Sequence, residues 1–195
     1  MYPVMLNVDG KKCVIAGGGR TALRKAKKLS DGGAKVTVVS PDFCDSFDFA
    51  EKIQSEYKPE YIKNSFLVIA ATNNSKVNKQ IAEDAQKAGI LVSLADSPKL
   101  SNFVSPCSQV TGDITLTAST NGKYPILAKK LCKKYIDDMI FYNELLPLLE
   151  EYRKQILLKH WDTKNELLEY LISDEMISLA KKDIKLFKAK ADKVI

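Results

Sequence analysis

The segment KCVIAGGGRTA at residues 12–22 decides the fold of this 195-residue chain. Its apolar run leads into three glycines, and Gly17, Gly19 and Ala22 match the G-x-G-x-x-A fingerprint of dinucleotide-binding turns. In such turns the first glycine permits a tight bend, the second lets the backbone approach a diphosphate, and the small third residue allows close helix–strand packing. A tight turn without a ligand is the alternative interpretation, so the surrounding elements decide between the two.

The elements around this turn alternate between strand and helix. Short apolar runs predict strands and helical periodicity predicts helices: strands at 11–16, 35–39, 66–71 and 90–95, helices at 21–31 and 76–88, and a half-exposed strand at 114–118. We expect Asn74 or Ser75 to cap the second helix. Residues 47–55 permit a short helix, although Pro59 and mixed polarity leave that stretch open. The alternation predicts an α/β fold with a Rossmann-like parallel sheet.

The chain changes character at Pro125, which can begin a helix in its first turn. Apolar residues then recur with helical spacing in one stripe: Leu145, Leu148, Leu149, Tyr152 and Ile156. Residues 163–166 (TKNE) fit a capping box, and one last helix is expected over 176–187. We therefore divide the chain into a dinucleotide-binding domain, a connecting segment and a C-terminal helical region: 1–112, 113–142 and 143–195. A small bundle or a dimer contact is the expected role of the helices.

Composition excludes several classes of protein. No run of 18 apolar residues exists, and the N-terminus lacks the pattern of a secretory signal, so we expect neither a membrane span nor export. The four cysteines and the single histidine are scattered, which argues against a zinc site and indicates a reducing cytoplasm: Cys13, Cys44, Cys107, Cys132 and His160. The net charge of +6 lies wholly in residues 1–140. Charge alone is weak support for nucleic-acid binding, and no recognition element accompanies it.

The predicted strand ends supply the candidate site, because ligands of parallel sheets bind at the carboxyl edge. Four groups follow predicted strands: Gly17–Thr21, Ser40–Asp42, Thr72–Asn73 and Asp96. Asp42 can reach a ribose or serve only as a turn residue, and the absence of an Arg there favours NAD over NADP. Thr72 and Asn73 can bind the cofactor or cap the following helix. Asp96 can act as a base near the cofactor or form an Asx-turn.

The order of motifs along the chain resembles that of a known enzyme family. The matching segments are Tyr2-Pro3-Val4, VIAGGG at 14–19, Arg24-Lys25-Ala26, AATN at 70–73, DSPK at 96–99, FVSP at 103–106 and STNGKYPILA at 119–128. Over about residues 2–150 this order is similar to precorrin-2 dehydrogenase, the NAD-dependent part of siroheme synthase. In some members of that family the same site also acts as sirohydrochlorin ferrochelatase.

The resemblance implies an oxidation of precorrin-2 by NAD⁺ to give sirohydrochlorin and NADH. Asp96 matches the family's key aspartate, which is implicated in dehydrogenation and metal insertion. Other positions match the family's NAD contacts: Arg20, Thr21, Pro41 and Asp42. Three match the loop beside the tetrapyrrole: Ser119, Thr120 and Gly122. The family also implies a homodimer joined near residues 113–140. Four lysines are expected to bind the substrate's carboxylates: Lys99, Lys123, Lys129 and Lys130.

The chain departs from the family pattern at three places. Asn73 stands where an Asp is common, Tyr124 precedes the proline where a smaller residue is usual, and the stretch 43–64 is short enough to lack a strand. The sequence shows no methyltransferase pattern, so we expect that earlier step to be carried out by another protein. A non-catalytic module that binds NAD(H) or carries a tetrapyrrole is the alternative function, and it predicts cofactor binding without turnover.

Overall fold

The computed structural model describes residues 1–44 and 47–195, in two compact units, Met1–Ser105 and Pro106–Ile195. In the described part of the first unit, strands and α-helices follow in this order: β1 Lys12–Ala16, α1 Arg20–Asp31, β2 Lys35–Ser40, β3 Glu51–Gln54, β4 Leu67–Ala70, α2 Ser75–Lys87 and β5 Leu91–Leu94. The strands predicted at 11–16, 35–39, 66–71 and 90–95 and the helices predicted at 21–31 and 76–88 are therefore confirmed to within a residue or two of their ends.

The five strands form one sheet in the order β3-β2-β1-β4-β5, and every neighbouring pair is parallel. β1 and β4 occupy central positions because their apolar residues can be buried on both faces of the sheet. Val14 packs with residues of α2 such as Ile81, whereas its neighbour Ile15 packs with Ala22 of α1. The predicted Rossmann-like fold is confirmed, and its strand ends share one edge.

The stretch after β2 contradicts the prediction of a short helix at 47–55. Glu51–Gln54 forms β3, which pairs in parallel with β2 and extends the sheet, so no strand is missing from this region. The Thr37 hydroxyl donates to Glu51 Oε2 at 2.8 Å and helps to fix this pairing. β3 has one half-buried residue, Ile53, between polar neighbours. Such a short edge strand leaves too little periodicity in the sequence to be recognised.

The second unit consists of a hairpin followed by helices, in this order: β6 Cys107–Thr111, β7 Ile114–Ala118, α3 Pro125–Lys134, α4 Ile136–Lys159, α5 Lys164–Leu171, α6 Asp174–Lys182 and α7 Ile184–Ala191. The predicted strand at 114–118 is confirmed, and β6 is its antiparallel partner, which the sequence pattern missed. Asn143 of α4 supports the hairpin turn, because its Oδ1 accepts a hydrogen bond from the Asp113 amide at 3.0 Å.

The helices of this unit bury the stripe expected on α4. Leu145, Tyr152 and Ile156 pack in one cluster with Phe187 and other apolar residues. No helix within 1–44 and 47–195 has both the length and the apolar character needed to cross a membrane.

Two predicted features of the helical region are wrong. Thr163 makes no side-chain cap bond, since its backbone has φ −105° and ψ 10° rather than the extended conformation of an N-cap residue. The helix expected over 176–187 is instead two helices. Asp183 has an extended backbone that ends α6, and its Oδ1 accepts from the Lys185 amide at 2.8 Å to begin α7.

Candidate functional site

A cleft of about 810 Å³ opens at the carboxyl edge of the sheet. The turn after β1, the loop after β2 and the loop after β4 form its walls. Its lining includes residues from the predicted site together with others: Gly17, Gly18, Gly19, Ser40, Pro41, Asp42, Cys44, Glu56, Tyr57, Thr72, Asn73 and Asn74. The structure thus brings together residues of three of the four predicted groups in one cavity of the size that cofactor sites have, whereas Arg20 and Thr21 are not in its described lining.

The three glycines of the first turn have different structural roles. Gly17 has a φ of +118°, and a Cβ there would overlap the Ala71 carbonyl of the neighbouring strand's loop. A Cβ on Gly18 would overlap the Asp42 carbonyl. At Gly19, by contrast, no atom of the described residues lies within 4 Å of an added Cβ. Gly17 and Gly18 are therefore required by the protein itself, whereas the open space beside Gly19 is available to a ligand.

The start of α1 lies next to the cleft-lining Gly19, and its first backbone amides have no partner in the described part of the chain. Gly19 is the N-cap, none of the side chains that the structure describes caps the helix, and its first turn contains no acidic residue. The Leu23 amide donates to the Gly19 carbonyl at 3.0 Å, so the amides of Arg20, Thr21 and Ala22 precede the first helical hydrogen bond. Ala22 is fully buried against the sheet, as the fingerprint requires. This arrangement fits the diphosphate of a dinucleotide.

The loop after β2 supplies the other side of the cleft. The Ser40 hydroxyl donates to the Asp42 carbonyl at 2.6 Å, which fixes the backbone of this loop. Asp42 and Glu56 are carboxylates, and no basic side chain is among the described residues that line the cleft. Carboxylates bind ribose hydroxyls and repel a 2′-phosphate, so the lining favours NAD over NADP.

Glu56, Tyr57 and Cys44 are cleft residues that the sequence analysis missed. They lie in the stretch after β2 whose structure the hydrophobic pattern of the sequence left open, so no sequence signal predicted their position at the edge of the sheet. The Tyr57 hydroxyl donates to Asp84 Oδ2 at 3.1 Å. Burial, followed by the negative charge of Asp84, raises the pKa of Tyr57, so the phenol stays protonated and keeps this bond.

Thr72 and Asn73 follow β4 and line the cleft, but α2 is capped by their neighbour. Asn74 Oδ1 accepts from the Lys76 amide at 3.0 Å and from the Val77 amide at 3.4 Å. The predicted cap at Asn74 is confirmed. The Thr72 hydroxyl lies 2.7 Å from Asn78 Oδ1, so it serves the packing of this loop, while the exposed Asn73 remains available to a ligand.

Asp96 follows β5 and lies outside the described lining of the cleft. It is tied to the cleft through α2, because Asn78 Nδ2 donates to Asp96 Oδ2 at 2.9 Å. An Asx-turn is excluded, since the residue whose amide would be the donor is Pro98, which has none. No donor to the other oxygen, Oδ1, occurs in the described part of the chain. The carboxylate is exposed and half-paired, which suits a proton acceptor.

The loop between β7 and α3 brings together the four residues predicted to contact substrate: Ser119, Thr120, Gly122 and Lys123. The hydroxyls of the first two accept hydrogen bonds from backbone amides, Asn121 to Ser119 at 3.1 Å and Tyr124 to Thr120 at 3.0 Å. Both hydroxyls keep a hydrogen for donation. Gly122 has a φ of +79°, a conformation that favours glycine.

Comparison with known proteins places the first unit in a family. Residues 4–107 match the family described as "Putative NAD(P)-binding". The chain is 32% identical over 162 residues to siroheme synthase of Nitrosococcus oceani, covering 79% of this chain and 34% of that protein. It is 34% identical over 166 residues to siroheme synthase of Psychrobacter arcticus, covering 81% and 30%. The chain thus spans about a third of the length of these curated relatives.

A solved structure is similar over the whole chain. It is described as SirC, precorrin-2 dehydrogenase, and it matches with a TM-score of 0.78 and 27% identity over 99% of this chain and 100% of that chain. These similarities confirm the resemblance seen in the sequence, the Rossmann-like fold and the prediction of a nicotinamide adenine dinucleotide cofactor. The chain belongs to the NAD(P)-binding family whose pattern spans its first unit.

Proposed function

We propose that this chain oxidises precorrin-2 to sirohydrochlorin with NAD⁺ as the electron acceptor. The observation that carries the proposal is the position of Asp96: an exposed carboxylate at the strand edge, joined through one side chain to the wall of the nucleotide cleft. The similarity to a solved precorrin-2 dehydrogenase and to siroheme synthases supports the choice of substrate.

The cofactor, when bound, supplies the chemistry of hydride acceptance. The amides of Arg20, Thr21 and Ala22, beside Gly19, would bind its diphosphate, and the Pro41–Asp42 loop would hold the adenosine ribose. Thr72 and Asn73 line the cleft, and Thr72 is joined to Asp96 through the side chain of Asn78. Asp96 accepts the proton that the substrate loses along with the hydride, so two electrons and two hydrogens leave precorrin-2, one proton passing on to solvent.

The substrate carries many carboxylates, and the loop after β7 offers groups that bind them. We propose Ser119, Thr120, Gly122 and Lys123 as substrate-binding residues. Hydroxyl donors and a backbone with a glycine at positive φ suit carboxylate oxygens. Lys99, Lys129 and Lys130 are further lysines that we propose to contribute positive charge for binding substrate carboxylates.

A homodimer joined through residues 113–142 is part of the proposal. Large apolar side chains on and beside α3 are exposed within the second unit: Tyr124, Ile126, Leu127, Leu131 and Tyr135. An exposed apolar patch of this kind is typical of a protein interface. We also assign the enzyme to the cytoplasm, where its four free cysteines remain reduced.

The decisive experiment supplies purified protein with precorrin-2 and NAD⁺. We expect sirohydrochlorin and NADH to appear in equal amounts, and Asp96→Ala to slow the formation of both by roughly 10²–10⁴-fold, the usual contribution of a general base, while leaving NAD⁺ affinity unchanged. Binding of NAD⁺ without NADH formation would instead support the non-catalytic carrier. An Asp96→Ala protein with full activity would refute the proposed mechanism.

Insertion of iron or cobalt into sirohydrochlorin is a second candidate activity, and the free Oδ1 of Asp96 favours it. Metal insertion requires a base that removes protons from pyrrole nitrogens, and an exposed carboxylate can do so. Addition of Fe²⁺ or Co²⁺ to the protein with sirohydrochlorin tests this activity. A rate equal to that without protein, or equal for Asp96→Ala, would reject it.

A further inference from the structure

We propose that Asn78 is a positioning residue that orients the Asp96 carboxylate for proton transfer. This inference rests on the proposed function, which makes Asp96 the proton acceptor. Asn78 lies on α2 and is only 1% exposed although its side chain is polar. A buried carboxamide is costly unless its groups are hydrogen-bonded, so its partners indicate its role.

All four hydrogen-bonding positions of this carboxamide are filled. Oδ1 accepts from the Thr72 amide at 3.1 Å and from the Thr72 hydroxyl at 2.7 Å. Nδ2 donates to the Thr72 carbonyl at 3.1 Å and to Asp96 Oδ2 at 2.9 Å. A backbone amide can only donate and a backbone carbonyl can only accept. Thr72 therefore fixes which end of the Asn78 side chain is oxygen and which is nitrogen.

The hydrogen bonds to Thr72 leave one N–H of Asn78 for Asp96, and the backbone of Thr72 determines the direction in which this N–H points. A hydrogen bond to a carboxylate is charge-assisted and stronger than one between neutral groups. The two strand ends also lie side by side, since the Ala95 amide donates to the Ala70 carbonyl at 2.9 Å. Asn78 thus holds one oxygen of Asp96 against the segment that lines the nucleotide cleft, and leaves the other oxygen for the substrate.

Asn78→Asp tests this role with little change of shape. The new side chain keeps an oxygen that accepts from Thr72, but it loses both N–H groups and places a negative charge beside Asp96. We expect kcat for NADH formation to fall roughly 100-fold, the size of effect that a misplaced catalytic group causes. The KM for precorrin-2 and the affinity for NAD⁺ should stay within about threefold, because neither ligand loses a contact.

Asn102→Asp is the matched control. Asn102 also clamps backbone at β5, accepting from the Val92 amide at 2.7 Å and donating to the Ile90 carbonyl at 3.3 Å, but it does not contact Asp96. We expect this variant to have a lower melting temperature and an unchanged kcat. If Asn78→Asp yields no folded protein, Asn78→Gln replaces it, since Gln keeps all donors and acceptors but moves them by one methylene.

The deciding comparison introduces Asn78→Asp into both the unaltered and the Asp96→Ala protein. We expect the substitution to lower kcat only where Asp96 is present, because Asn78 acts through it. An equal fall in both backgrounds, or no fall in either, would overturn the inference. A strongly slowed Asp96→Ala protein with fully active Asn78→Asp would overturn this inference alone, whereas fully active Asp96→Ala would overturn the proposed function.

Discussion

The Asp42 carbonyl oxygen lies directly over Gly18, in the place that the Cβ of any larger residue would occupy. The loop that carries Asp42 can therefore pack this closely against the turn after β1 only because Gly18 has no side chain. We expect Gly18→Ala to push this loop outward, lowering both the melting temperature and the affinity for NAD⁺. Thermal unfolding and calorimetric titration measure the two effects, and a variant with unchanged NAD⁺ affinity would contradict this role of the loop.

Gly19→Ala separates cofactor binding from folding. The backbone at Gly19 has φ −86° and ψ 176°, which alanine adopts freely, and within 1–44 and 47–195 no atom lies within 4 Å of the added Cβ. We expect the melting temperature to be kept and NAD⁺ to bind at least about tenfold more weakly, a loss of about 1.4 kcal/mol, because the methyl group occupies the path of the diphosphate.

Gly89→Ala is the control for this comparison. Gly89 has a φ of +67° and open space around it, so alanine there costs about 1–2 kcal/mol of stability. It lies at the end of α2 and outside the described lining of the cleft, so NAD⁺ affinity should not change. The proposed site would be wrong if Gly89→Ala weakened NAD⁺ as much as Gly19→Ala.

Cys44 reports on occupancy of the cleft without any assay of turnover. It is the exposed cysteine among the four, and it lines the cleft. We expect a water-soluble thiol reagent to label Cys44 first, and saturating NAD⁺ to slow this labelling several-fold. Cys44→Ser should remove the fast phase. Equal labelling rates with and without NAD⁺ would show that the nucleotide binds elsewhere.

The buried thiol of Cys13 predicts a loss of stability at alkaline pH. Burial in the central strand raises the pKa of this thiol from 9.0 to about 11. Below pH 9 the thiol is protonated in both the folded and the unfolded chain, so its full contribution to the free energy of unfolding is present. As pH rises from 9 toward 11 the unfolded chain ionises first, and stability falls by up to about 1.4 kcal/mol per pH unit.

Cys13→Ala removes this dependence while keeping a small apolar residue in the strand. Urea unfolding of the first unit at several pH values between 8 and 11 compares the two proteins. We expect the free energy of unfolding to fall more steeply with pH in the unaltered protein. Parallel curves would mean that the Cys13 thiol does not contribute.

The exposed face of α3 predicts the subunit contact. Ile126 is 72% exposed, and a charge there would be buried if the dimer forms through this helix. We expect Ile126→Glu to shift the protein to monomers in sedimentation measurements. Leu158→Glu is the control, because Leu158 is 86% exposed on α4 outside residues 113–142. Monomers from the control alone would assign the interface to a different surface.

The parts of the fold that could be predicted are those that have a clear apolar pattern in the sequence and are deeply buried in the structure. The strands around Val14 and Val68 are apolar on both faces, and the glycine turn between β1 and α1 has few alternative conformations. β3 and β6 were missed because each is short, mostly polar and defined by its partner rather than by its own periodicity. Thr163 is the opposite case. Its sequence fits a capping motif, but its backbone does not adopt the extended conformation that an N-cap residue needs.

The candidate site was predictable only as a set of strand ends. Asp96 and Asp42 stand where predicted strands end, so fold topology alone places them at one edge. Asn78 gave no such signal, because an asparagine inside a helical pattern is normally a solvent-facing residue. Its importance follows from tertiary contacts with Thr72 and Asp96, which no local pattern encodes.

The uncapped beginning of α1 has a practical consequence for measurements on this protein. Free amides and the helix dipole give that end of the helix a positive potential, which attracts small inorganic anions as well as a diphosphate. Phosphate or sulfate in a buffer competes for the same amides. The affinity for NAD⁺ measured in Tris or HEPES should therefore be higher than the affinity measured in phosphate. Phosphate or sulfate in a crystallisation solution should likewise compete with a nucleotide that is soaked into the crystal.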